Sequence, residues 1–265
     1  MKRRTFLQQA GVLLTSATTV AAAQAEEPQG RPGTPDGHRP TILLTAAETG
    51  LGRALAASLG NGYHIRAAGE PLFRDETGRL EQLLDGVDAI VHVAQPDEDT
   101  NGSERLDRQV RGTYDLLSVA AAKGVELVVY LSSLQIMAGY DPGFQVAEDW
   151  RPVPTSDAGQ LAHYLAECVC REFAREGKLR AVVLRLGEVL RGDAVRGRAG
   201  DLPWVDQADA VEAVRLALEA HFARGGAGLR TWNVLHVAAD VPGGRFPVTR
   251  AKRVLGYRPQ FGPPA

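Results

Sequence analysis

Two cysteines, Cys168 and Cys170, in 265 residues leave no disulfide framework to hold a small fold together. Placed two apart on a helix they point about 200° from each other, which is poor geometry for a bridge; packing is their expected role. A zinc centre of the usual kind needs a second cysteine pair or an HExxH helix, and the sequence has neither. Nucleophile-elbow (GxSxG) and P-loop patterns are missing too, which removes the simplest serine-hydrolase and NTPase readings. No repeat or low-complexity tract breaks the body of the chain. Net charge is −2, so no electrostatic footprint for a nucleic acid exists. Lysine is scarce as well: of 30 basic residues only Lys2, Lys123, Lys178 and Lys252 are lysines. At 44% hydrophobic and 23% charged, the chain nonetheless has the composition and length of one ordinary soluble domain with an ample core.

The N-terminus is read separately. Residues 1–25 (MKRRTFLQQAGVLLTSATTVAAAQA) join a cationic start to a mildly apolar run of 14 residues, 10–23, and a small-residue Ala23-Gln24-Ala25 pattern. That run is shorter than the roughly 20 apolar residues a bilayer span needs. Arg3-Arg4 followed by Thr5-Phe6-Leu7 resembles a twin-arginine export leader. The expectation is a cleaved signal, a periplasmic or otherwise exported protein, and no stable membrane insertion afterwards. Cleavage would leave 27 basic and 32 acidic residues, net −5. Residues 26–40 interleave Pro28, Pro32, Pro35 and Pro40 with Gly30, Gly33 and Gly37, and such a composition reads as a linker.

From 41 to 258 strand and helix patterns alternate. Apolar strands are expected at 42–44, 63–68, 89–94, 125–132 and 180–186, with helices at 52–59, 106–123 and 157–175 between them. Strands this apolar belong in a parallel sheet covered on both faces, so the expected fold class is α/β, a doubly wound Rossmann sheet. The stretches 187–201 and 224–250 are assigned to a small C-terminal substrate lobe, and 259–265 to a tail. In the lobe, Arg191, Arg196 and Arg198 form a loop able to clamp a carboxylate or phosphate, or simply a solvated one.

Ligands of such sheets lie beyond the carboxyl ends of the strands. There the first turn reads Thr45-Ala46-Ala47-Glu48-Thr49-Gly50-Leu51-Gly52, a gapped glycine pattern ahead of a helix N-terminus, suited to a phosphate or to an ordinary tight turn. Several ordered segments then coincide. They are this turn, Val87 to Ala94 (VDAIVHVA), Val110-Arg111-Gly112-Thr113, Val128 to Ser133 (VVYLSS), Val183 to Gly187 (VLRLG), Trp204 to Val211 (WVDQADAV), Trp232-Asn233-Val234 and Leu255 to Pro259 (LGYRP). Together they resemble the extended short-chain dehydrogenase/reductases, the NAD-dependent epimerase/dehydratases. The look is closest to the small uronate dehydrogenases. The likeness spans 41–259.

The resemblance implies NAD as cofactor, NADP being disfavoured rather than ruled out, with Thr45, Ala46, Gly50, Leu51 and Gly52 around the pyrophosphate. Glu70, or Gly69 with a one-residue slip, takes the place of the acid that binds the adenosine ribose; Asp75 lies near the adenine and Ala94 lines the cofactor. It further implies a sugar or sugar-acid ligand, no nucleic acid, and a homodimer through helices that include 159–173. Ser133, with Ser132 as the second choice, stands at the serine of the catalytic centre. The family's Tyr-x-x-x-Lys pair, by contrast, is missing. Its register puts Gly159 at the tyrosine and His163 at the lysine, and none of the six tyrosines has a lysine four residues on. His163 is the substitute acid or base, against a plain packing role; Tyr164 is turned about 140° away from Gly159 and Tyr140 sits in a loop. Three readings follow: a cofactor-binding member without turnover, an oxidoreductase or epimerase with a non-standard acid/base group, and a scaffold without cofactor.

Overall fold

A computed structural model of the chain describes residues 39–69, 78–94, 101–191 and 203–261. The expected leader, linker residues 26–38, Glu70, Asp75, Arg196 and Arg198 lie outside these residues.

Six parallel strands form the main sheet: β1 (Thr41–Thr45), β2 (His64–Ala68), β3 (Ala89–Val93), β4 (Leu127–Ser133), β5 (Arg180–Leu186) and β8 (Trp232–Val237), in the order β2-β1-β3-β4-β5-β8. Side chains alternate across each strand, so a strand buried on both faces must be apolar throughout. In β1, Ile42 and Leu44 join one core while Leu43 joins the other. The first core is closed by α1 (Gly50–Leu59), α6 (Gln207–Phe222) and α7 (Thr249–Leu255). On the opposite face the second is closed by α2 (Arg79–Leu84), α4 (Gly112–Ala122) and α5 (Ala158–Arg175). The chain reverses its winding between β1 and β3, which opens a crevice beyond their carboxyl ends.

Two expectations are corrected. The helix over 106–123 is broken into α3 (Gly102–Leu106), one wide π turn (Asp107–Arg111) and α4. The Thr113 hydroxyl donates to the Gln109 carbonyl at 2.5 Å, and the widened turn carries the Gln109 side chain into the interior. One part of the expected lobe belongs to the main sheet. Within 224–250, Trp232–Val237 is not lobe at all; it pairs with β5 over six residues as the outer strand of the main sheet. Its apolar Val234, Leu235 and Val237 fill both cores, a pattern the sequence displays but which the lobe assignment overlooked. In the first lobe stretch β6 (Glu188–Leu190) forms a two-stranded parallel ribbon with β7 (Trp204–Asp206), which follows it.

A buried ion pair anchors α5 to the sheet. Arg185 of β5 donates to both carboxylate oxygens of Glu167, 2.8 Å at the closest, with each side chain under 5% exposed. No described helix is long and apolar enough to cross a membrane.

Candidate functional site

The turn after β1 is built around two close approaches. Ala46 has φ 53°, the left-handed conformation that glycine normally supplies, and its methyl is 1% exposed within the first core. The methyl therefore packs inward and leaves the solvent side of the turn open. Gly52 has no such freedom: a Cβ there would lie 2.8 Å from the Ala47 Cα and against the Ala46 carbonyl oxygen. Thr49 caps α1, its hydroxyl accepting from the Gly52 amide at 3.0 Å and donating to the Ala46 carbonyl at 2.8 Å. The amides of Gly50 and Leu51 then point out of the helix end with no acceptor among the described residues.

Around this turn stand two charged groups the sequence did not place. Glu48 is exposed, and its carboxylate lies 3.6 Å from where a Gly69 Cβ would be, at the end of β2. A carboxylate thus reaches the end of β2 from the turn; Glu70, expected there, lies outside the described residues. Arg191, just after β6, lays its guanidinium against Gly50 while its Nε donates to the Gln207 side chain at 2.5 Å. A motif search reads neighbours in sequence, and neither approach leaves a mark there.

Thr45 is buried and points toward β3 rather than solvent. Its oxygen accepts from the Val93 amide at 2.9 Å and meets His92 Nδ1 at 3.0 Å. From there a continuous polar chain crosses the second core. His92 Nε2 meets the Thr113 oxygen at 3.0 Å; because the Thr113 proton goes to the Gln109 carbonyl, His92 is the donor. The Gln109 amide donates to the Tyr130 hydroxyl at 3.0 Å and to His163 Nδ1 at 3.1 Å. Burial pushes the His92 pKa down to about 4 and keeps that ring neutral. Ala94 is half-buried at the end of β3, beside the crevice. Gln109 is a site residue that sequence reasoning missed, although it directly precedes the quoted Val110-Arg111-Gly112-Thr113.

At the other end of the crevice, α3 presses onto the first turn of α5. A Cβ on Gly102 would meet the Ala158 Cβ at 3.1 Å, and a Cβ on Gly159 would meet Arg105 Nη1 at 3.2 Å. Gly159 is therefore a bare stretch of backbone with an arginine from α3 beside it. One turn further on, burial and the Arg105 charge push the His163 pKa down to about 4. With Nδ1 accepting from Gln109, the ring proton sits on Nε2. Ser133 at the end of β4 caps the following short helix, accepting from the Gln135 amide at 3.2 Å, which leaves its hydroxyl proton for another acceptor. Ser132, by contrast, is buried and faces the other way.

The remaining candidates are placed elsewhere. The Tyr140 hydroxyl donates to the Arg151 carbonyl at 2.6 Å and its ring packs on Trp150. Tyr164 lines a cavity of about 550 Å³ beside β8 with Trp150, Arg171, Trp232 and Arg250. Cys168 and Cys170 are both free, and Cys170 is fully buried. No group of metal ligands forms among the described residues.

A doubly wound parallel sheet with a helix-capped turn at its switch point defines a nucleotide-binding α/β protein. The family description "NAD dependent epimerase/dehydratase" matches residues 53–191, more than half of the sequence, and the chain belongs to that family. Among solved structures it is similar to a glucuronic acid dehydrogenase from Chromohalobacter salexigens, at 17% identity and TM-score 0.70, over 84% of this chain and 85% of that one. A UDP-galactose 4-epimerase aligns at 18% identity and TM-score 0.65, over 84% and 94%. A tyrosine-to-alanine mutant of uronate dehydrogenase from Agrobacterium tumefaciens, complexed with NAD, aligns at 20% and 0.64, over 83% and 84%. At such identities the likeness is one of fold. No curated protein sequence matches the chain.

The family implies a dinucleotide, and the turn fits one: an inward-facing Ala46 methyl, a close-packed Gly52 and two outward amides leave room and donors for a pyrophosphate.

Proposed function

We propose that this chain is an exported, NAD-binding member of the epimerase/dehydratase family that holds its cofactor without the family's tyrosine–lysine proton transfer. The observation that carries the reading is the rebuilt start of α5, where Gly159 faces Arg105 and His163 is held neutral. When bound, the dinucleotide would supply a hydride donor or acceptor. The described residues at the start of α5 offer no matching proton carrier: an arginine does not titrate in the working range. A histidine of pKa about 4 is unprotonated at neutral pH and a weak base. What they can do is bind. The Gly50 and Leu51 amides face the pyrophosphate, Ser133 has a hydroxyl proton to donate, and His163 Nε2 is a donor at the place where the family's lysine meets the nicotinamide ribose.

Glu48 supports NAD over NADP. A carboxylate at the end of β2 accepts from the adenosine ribose diol and repels a 2′-phosphate. The sugar-acid dehydrogenases among similar folds make a uronate or related sugar the first ligand to try in the remaining space. Arg3-Arg4 and the apolar run to Ala23 support twin-arginine export. Exposed Tyr114 and Leu165, on the outer faces of α4 and α5, support a homodimer through those helices.

Calorimetric titration with NAD, NADH, NADP and NADPH, followed by an absorbance assay for NAD reduction by a panel of uronates and aldoses, tests the reading. Binding that favours NAD and NADH, with no reduction, is expected. No binding of any of the four would overturn the cofactor role. Reduction of NAD that is lost in His163→Ala but kept in Tyr164→Phe would overturn the loss of turnover.

A further inference from the structure

Compared with the family fingerprint, the turn after β1 has given up two glycines, at Ala46 and Thr49, and the Thr49 hydroxyl takes the Gly52 amide for itself. Among the described residues, Gly50 and Leu51 at the start of α1 still offer backbone donors to an anion. Arg191 stands next to Gly50. Its guanidinium carbon lies 3.1 Å from where a Gly50 Cβ would be, so only a glycine at position 50 admits the side chain in this pose. The pose is also held from behind, because the Arg191 Nε donates to Gln207 at the start of α6. This leaves the two Nη groups as the free edge of a fork. No carboxylate pairs with Arg191 among the described residues, and the first turn of α1 contains no acid.

We propose that Arg191 is the pyrophosphate clamp of this chain: a guanidinium from the C-terminal ribbon that closes over the N-terminus of α1 and makes charge-assisted hydrogen bonds to the dinucleotide phosphates. It does the work that extra turn amides do where the glycines are kept. A planar fork suits two phosphate oxygens at once, which an ammonium does not. The inference rests on the cofactor reading above and adds a residue from outside the glycine turn to it.

The test is calorimetry with ADP-ribose and with adenosine, on the full chain, its Arg191→Ala and Arg191→Lys variants, and Gln207→Ala. Arg191 is exposed, so folding should survive, and far-UV circular dichroism checks it. Arg191→Ala should weaken ADP-ribose about 10- to 100-fold while leaving adenosine unchanged. Arg191→Lys should recover only part of the loss, and Gln207→Ala should give a smaller loss in the same ligand. Equal affinity for ADP-ribose with and without Arg191 overturns the clamp, and tighter binding without it shows that the guanidinium blocks the cradle. Failure of the unaltered chain to bind NAD or ADP-ribose overturns the cofactor reading itself, an outcome distinct from an unchanged affinity in the variant.

Discussion

The two ends of the crevice depart from the family pattern, as proposed here, in opposite ways. At α1 the substitutions preserve the shape. Ala46 adopts the glycine conformation and turns its methyl into the core, Thr49 caps the helix, and Gly52 keeps the close approach between turn and helix. At α5, in the proposed reading, the substitutions change the chemistry. There α3 lies against α5 through Gly102 and Arg105, and in that reading the neutral His163 stands where the family has a cation. A backbone cradle tolerates side-chain changes that leave its amides pointing outward. A proton relay does not tolerate the loss of the group that holds the proton.

Several substitutions can break or sharpen this contrast. The largest effect is expected beneath the α5 end, where a buried ion pair holds the helix to the sheet. Glu167→Gln leaves the Arg185 charge buried with a neutral partner and should cost about 3–5 kcal/mol in denaturant unfolding. Next comes the α1 end. Gly52→Val places side-chain atoms where backbone already lies, and should cost about 3 kcal/mol and abolish NAD binding. If that variant binds NAD normally, the cradle is not where the cofactor lies. Restoring the family pair with Gly159→Tyr and His163→Lys should yield no NAD reduction and a loss of about 2 kcal/mol, because Arg105 stands beside position 159. Adding Arg105→Ala should recover part of that stability; simple additivity of the three changes would remove Arg105 from the account.

The smallest effect concerns pH. His92, His163 and His236 have folded pKa values of about 4, 4 and 3, below the unfolded value near 6.5, because burial disfavours the charged ring. The unfolded chain then binds more protons, so stability is full above about pH 6.5 and falls as the pH drops toward 4. Between pH 7 and 6 each histidine accounts for about 0.7 kcal/mol, and His163→Gln should reduce the fall by that amount.

Much of the fold was legible because buried parallel strands must be apolar on both faces. β1, β3, β4 and β5 stand out for that reason, and the turn from Thr45 to Gly52 falls where α1 begins. β8 has the same apolar character, but its place in the sheet is set by pairing with β5 across a long stretch of intervening chain, and the lobe assignment hid it. The π turn was illegible because helical spacing alone does not register one extra residue. At the site, that no tyrosine is followed four residues on by a lysine could be read directly from the sequence. Arg105 beside Gly159, Glu48 over Gly69 and Arg191 over Gly50 could not, since each is an approach between separate elements.

The central claim is that cofactor binding persists where proton transfer has been lost. Stopped-flow mixing of the NADH-loaded protein with oxidised sugar acids, the lactones and keto sugars, observes both halves at once through nicotinamide fluorescence. The account predicts a saturable fluorescence signal on NADH binding, absent in Gly52→Val, that then stays constant on mixing at neutral pH. A decay of that signal upon sugar addition, dependent on His163, would contradict it.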